Sequence, residues 1–159
     1  MNKPYPPLAS LVPHGPPMLL LDELLDVSDE SAVTRVTITP ASPFFDHGGV
    51  PAIISLEYMA QTIAALAGVQ LQGGGKRMKF GFLIACRQLT FHVDAFANGD
   101  DLRVEVHRSW VSDKMGEYSC QVSRAGKIVA DGIVTVYEGG LEIREAPAEA
   151  NGRIPEASG

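Results

Sequence analysis

Between residues 32 and 39 apolar and polar positions alternate. Thr34, Val36 and Ile38 fall on one face, and Val33, Arg35 and Thr37 on the other. The β-branched content of this stretch predicts a strand. Residues 18–27 form an apolar run broken by acids, and Ser28-Asp29-Glu30-Ser31 supplies a polar turn that joins the two segments as a hairpin. From Pro51 the period changes. Ile53, Leu56, Ala60, Ala64, Ala67 and Leu71 share one helical face, but Ile54, Met59, Ile63, Leu66 and Val69 are apolar too. A helix that is apolar nearly all round is surrounded by other structure. Pro51 suits a first helical position, and Gly73-Gly74-Gly75 ends the run.

The remainder predicts an antiparallel meander. Residues 80–93 read as a strand and are followed by the Asn98-Gly99 turn. Leu102, Val104, Val106 and Trp110 then alternate with Arg103, Glu105 and His107. After a turn at residues 113–116, Tyr118, Cys120 and Val122 alternate with polar residues; Ala125-Gly126 turns the chain into a last strand over residues 128–137. The N-terminal arm holds Pro4, Pro6, Pro7, Pro13, Pro16 and Pro17 and is expected to wrap the surface irregularly. Residues 1–140 form one α+β domain, a curved antiparallel sheet round one long central helix. Residues 141–159, rich in Ala, Glu, Pro and Gly, are expected to form a mobile tail. The far side of so apolar a helix needs cover, which implies a dimer or larger assembly.

Composition narrows the function. The chain of 159 residues carries a net charge of −6, which argues against nucleic acid as a partner. Cys86 and Cys120 stand far apart in sequence and are read as reduced, mostly buried thiols. No apolar h-region follows the N-terminus, and residues 50–75 are read as too interrupted to cross a membrane, so a cytoplasmic location is expected. No histidine pair has metal-ligand spacing, and no metal or other cofactor is expected.

Glu57 is the one charged side chain between Val50 and Gly75. A carboxyl buried in such a helix tends to stay protonated and can serve as an acid. Gln61, one turn on, can hydrogen-bond it. The residues before the helix, Gly48-Gly49-Val50, offer no side-chain cap, leaving N–H groups suited to a polarised carbonyl. His47, in the glycine-rich loop, and His14, in the proline-rich arm, are the candidate bases.

Ser42-Pro43-Phe44-Phe45-Asp46-His47, then Val50-Pro51-Ala52, then Leu56-Glu57-Tyr58-Met59-Ala60-Gln61 resemble the active-site signature of the 3-hydroxyacyl-acyl-carrier-protein dehydratases. Val12-Pro13-His14 through Met18-Leu19-Leu20-Leu21-Asp22 and the turn Gly99-Asp100-Asp101-Leu102 are similar to two further family segments. The resemblance implies the hot-dog fold and dehydration of a 3-hydroxyacyl thioester, on acyl carrier protein or coenzyme A, to the trans-2-enoyl form. It casts Glu57 as the acid, His47 as the base and the Ala52 N–H as the carbonyl donor, with Gly49 and Gln61 beside the substrate. Ala52 replaces the family's glycine, and the loop after His47 is shorter and lacks a Phe-Pro pair, which keeps His14 in contention. The short loop is similar to the divergent branch found in aryl-polyene clusters, whose members work beside a second dehydratase. A hot-dog thioesterase and a non-catalytic partner subunit are the alternative readings.

Overall fold

The computed structural model describes residues 5–74 and 81–137. Strands β1 (Glu23–Val27) and β2 (Ser31–Thr37) form the predicted hairpin, closed by the Ser28 N–H donating to the Ser31 carbonyl at 2.8 Å. A short strand β3 (Gly49–Pro51) and a single 3-10 turn (Ala52–Ile54) lead into helix α1 (Ser55–Gly74). Then follow β4 (Phe82–Phe91), β5 (Ala95–Ala97), β6 (Asp101–Val111), β7 (Met115–Arg124) and β8 (Lys127–Tyr137). Pro51 therefore precedes the helical turn instead of opening it, because it is paired with Ala95 in a two-stranded β3–β5 ribbon.

The main sheet has six strands in the order β1-β2-β6-β7-β8-β4, and its pairings are antiparallel. Its inner face supplies Val36, Val104, Val106, Cys120, Val122 and Val134, all buried, and α1 lays Tyr58, Met59, Ile63 and Leu66 into the same core. This is the hot-dog arrangement expected above. Helix and sheet also share one polar contact. Thr62 Oγ1 donates to the Tyr58 carbonyl at 2.8 Å and accepts from Thr34 Oγ1 at 2.7 Å, so both buried hydroxyls are satisfied.

Trp110 departs from the alternation. A bulge between Arg108 and Trp110 inserts one extra residue into β6. That turns Trp110 to the outer face, where it is 49% exposed, and keeps Arg108 inward, with its guanidinium 5.9 Å from the Tyr118 ring centre.

The N-terminal arm is less superficial than its prolines suggest. Leu8, Leu11 and Val12 are buried in the core cluster. The arm runs back along α1 and is tied to it at three levels. Gln72 Nε2 donates to the Ser10 carbonyl at 3.1 Å. At Gly68 a Cβ would stand 2.1 Å from the Leu11 carbonyl oxygen, so only glycine permits this approach. Gln61 then holds the backbone at Met18 and Leu20.

The length and mean hydropathy (1.4) of Ala52–Gly73 are sufficient to span a bilayer, which corrects the reading from its polar interruptions; in this fold most of that stretch is buried against the sheet and arm. Coverage is incomplete along Ile53, Leu56, Ala60, Ala64, Ala67 and Leu71. Beyond it, edge strand β4 exposes Phe82, Leu83, Ile84 and Phe91. Cys86 and Cys120 are both free thiols. Burial pushes each above its ordinary value, Cys120 to about 12 with a further contribution from Cys86. The basic cluster Lys76, Arg77 and Lys79 and the tail 141–159 lie outside the described residues.

Candidate active site

Glu57 stands in the first turn of α1. Its side chain is 38% exposed, so the burial inferred from its apolar surroundings does not hold in a single chain. The apolar neighbours cluster on the helix faces toward sheet and arm, and Glu57 points from the partly covered stripe.

Two side chains reach its carboxylate. Gln61 Nε2 donates to Glu57 Oε1 at 2.9 Å and to the Met18 carbonyl at 2.7 Å; Gln61 Oε1 accepts from the Leu20 N–H at 2.9 Å. Gln61 is fully buried and its polar atoms are committed to these partners. It therefore fixes Glu57 and the arm together, and a substrate does not reach it. On the other side His14 Nε2 approaches Glu57 Oε1 to 3.5 Å. His14 is 33% exposed, while its Nδ1 is enclosed and has no hydrogen-bond partner among the described residues.

His47 is placed differently. It has a positive φ of 47° in the loop before β3, and its side chain is 94% exposed. Its Nε2 lies 3.3 Å from Asp46 Oδ2, and its N–H donates to Asp46 Oδ1 at 2.9 Å. No ion pair joins His47 to Glu57 within this chain. Of the two candidate bases, the single chain brings His14 to the carboxylate.

The helix entry also departs from expectation. No side chain caps it, as the sequence implied. The Ala52 N–H is not free, however, because it donates to the Asp94 carbonyl at 2.9 Å. The segment before β5 thus takes the donor assigned to the thioester carbonyl. Gly49 is no substrate contact either. It is buried, exchanges backbone hydrogen bonds with Asp46, and lies where a Cβ would meet the Phe96 carbonyl oxygen at 2.6 Å. Its role is to let β3 approach β5 closely. Among the described residues no group of three His, Cys, Asp or Glu side chains converges on a point that could hold a metal.

Residues 6–146 match the family model described as ApeP-like, ApeP dehydratase. A 3-hydroxyacyl-[acyl-carrier-protein] dehydratase FabZ from Bordetella petrii is 30% identical over 129 residues, covering 76% of this chain and 85% of that protein. The FabZ of Chlamydia caviae is 27% identical over 132 residues, covering 79% and 84%. Among solved structures, the dehydratase heterocomplex ApeI:P from Xenorhabdus doucetiae superposes with a TM-score of 0.82 at 27% identity, covering 86% of this chain and 93% of that one. A hypothetical thioesterase protein with coenzyme A from Streptococcus pneumoniae shares the fold at a TM-score of 0.58 and 14% identity.

Proposed function

This chain belongs to the ApeP-like dehydratase family of hydro-lyases, and on that premise we propose that Glu57 and His14 carry the loss of water from a 3-hydroxyacyl thioester on an acyl carrier protein. The observation that carries the assignment is the His14–Glu57 approach of 3.5 Å, with Gln61 clamping the carboxylate from the other side. A base and an acid must reach neighbouring carbons of one substrate, so they must stand close together.

In this reading His14 Nε2 takes the α-proton, and the electron pair of that C–H bond moves toward the thioester carbonyl. The C3–O bond then breaks while Glu57, as the carboxylic acid, gives its proton to the departing hydroxyl. Water and the trans-2-enoyl thioester leave. His14 now holds one proton more and Glu57 one fewer, and direct transfer between them restores both. With the Ala52 N–H engaged by Asp94, the next N–H of the helix entry, that of half-exposed Ile53, is the donor for the developing enolate oxygen.

A second reading rests on the exposure of His47. A side chain 94% exposed in one chain can meet the Glu57 of another. The half-covered stripe of α1 and the apolar edge strand β4 support an assembly with a second copy or a second dehydratase subunit, and the heterocomplex among the similar structures supports the latter. The acidic balance and the family's carrier-bound chemistry support a cytoplasmic enzyme.

Mixing separates the two readings. His14→Ala and Glu57→Gln are each expected to lose turnover of a 3-hydroxyacyl-carrier substrate, measured by mass spectrometry, and to give no rescue when mixed. If His14→Ala stays active while His47→Ala and Glu57→Gln are inactive and rescue each other to about a quarter of wild-type activity, the site is shared between chains with His47 as base. Retained turnover in Glu57→Gln would remove the carboxyl from the mechanism.

A further inference from the structure

Four apolar side chains cross the outer face of the main sheet together, at one end of it. Met115 on β7 pairs with Tyr137 on β8, and Tyr137 pairs with Phe82 on β4. Trp110 on β6 pairs with Glu117, two residues along β7 from Met115 and so on the same face. Trp110 is 49% exposed, Phe82 44% and Met115 37%, and Tyr137 is half-buried. The same face of β7 continues as Glu117, Ser119 and Gln121, which are polar. The adjoining charges are already paired, because Arg87 Nη2 donates to Glu117 Oε2. What this row lacks is an apolar partner, and not a charged one.

The chain leaves the described residues from this row, at Tyr137. Glu138-Gly139-Gly140 follows, and then Leu141-Glu142-Ile143-Arg144. Two consecutive glycines permit a sharp reversal. Both places beside β8 are filled, by β7 and β4, so a reversed chain crosses a face of the sheet and cannot join it there as a strand. The inner face is occupied by α1 and the core. Leu141 and Ile143 alternate with Glu142 and Arg144, the pattern of an extended segment with one apolar side. Reach is sufficient. Four residues span about 13 Å, and the two strand spacings from β8 to β6 amount to about 9.5 Å. The family match, over residues 6–146, runs through this segment. Size points the same way. At roughly 150–250 Å² for a whole aromatic side chain, the half-exposed ones here offer about 300 Å², well short of the roughly 800 Å² per partner of a stable interface.

We propose that residues 141–144 lie extended across the outer face, with Leu141 and Ile143 seated on Trp110, Met115 and Phe82 and with Glu142 and Arg144 turned to solvent. These four residues then belong to the domain and not to a mobile tail.

Trp110 is the one tryptophan of the chain, so its fluorescence reads this face alone. In the full chain, two-dimensional NMR is expected to show nuclear Overhauser contacts between the Trp110 indole and the methyl groups of Leu141 and Ile143. Removal of residues 141–159, and Leu141→Asp with Ile143→Asp in the full chain, are each expected to raise the acrylamide quenching constant about twofold, since quenching follows the ring area open to water. Glu142→Gln with Arg144→Gln alters the solvent side and is expected to leave quenching unchanged. Circular dichroism identifies any variant that fails to fold, and the Overhauser contacts of the wild type then decide alone. The proposal is overturned if those contacts are absent, if folded variants without the apolar pair are quenched like the wild type, or if the polar pair moves the signal as far. Quenching that rises on dilution of the full chain but not on truncation would give this face to a second copy and overturn it as well. None of these readouts depends on turnover, so the dehydration reading stands or falls separately.

Discussion

Gly68 and the Leu11 carbonyl touch so closely that a Cβ on residue 68 would stand 2.1 Å from the carbonyl oxygen. That contact seats the N-terminal arm on α1, and the seated arm carries His14 to Glu57. A backbone atom cannot swing aside as a side-chain tip can. Gly68→Val is therefore expected to displace the arm, costing roughly 1–3 kcal/mol of stability. Turnover should fall further than the lost stability explains, because His14 leaves the carboxylate. Thermal melting followed by circular dichroism, paired with turnover at a temperature where the variant is folded, checks both.

Glu57→Gln keeps the volume and removes the acidic proton. Turnover is expected to fall by about 10²–10⁴. The side chain is more than a third exposed, so the melting temperature should stay close to that of the wild type. A large loss of stability with proportionate loss of activity would mark Glu57 as structural instead.

Gln61→Leu is expected to be costlier to the fold than Glu57→Gln. It leaves the buried Leu20 N–H and the part-buried Met18 carbonyl without their partner. The expected loss is about 1–3 kcal/mol in denaturant unfolding. An unfolding midpoint equal to that of the wild type would show that the arm is held without this clamp.

Alkaline stability follows from Cys120. Its thiol is pushed from an ordinary 9.0 to about 12. Between those values the unfolded chain releases a proton that the folded chain keeps, so stability falls as pH rises. Tyr58, raised from 10.0 to about 12, adds to the decline from pH 10 upward. The urea midpoint is expected to drop between pH 8 and pH 10.5, and to drop less in Cys120→Val. An equal decline in the variant would assign the loss to other groups.

The edge strand β4 exposes Leu83 and Ile84, and α1 leaves an apolar stripe half-covered. Ile84→Lys, which sets a charge on that edge, is expected to shift the chain toward a monomer in analytical ultracentrifugation at micromolar concentration. Wild-type protein that is already monomeric would overturn the assembly reading.

The sequence by itself determined the elements and their order. The alternation of Thr34, Val36 and Ile38, and of Tyr118, Cys120 and Val122, sets which faces are buried, because strand side chains repeat every second residue. The apolar helix with one carboxylate and a glutamine a turn later placed Glu57 beside Gln61, since i and i+4 are neighbours on any helix. Those relations are local, and local geometry is legible in a string of residues. Tertiary structure decided what depends on distant segments meeting. The bulge that turns Trp110 outward arises from the β6–β7 pairing. The Asp94 carbonyl that takes the Ala52 N–H comes from the approach to β5. The contact between His14 and Glu57 depends on a proline-rich arm packing into a groove that Gly68 leaves open. None of these has a period in the sequence, because each is set by which backbone surfaces can approach without a clash, and that is a property of the folded chain.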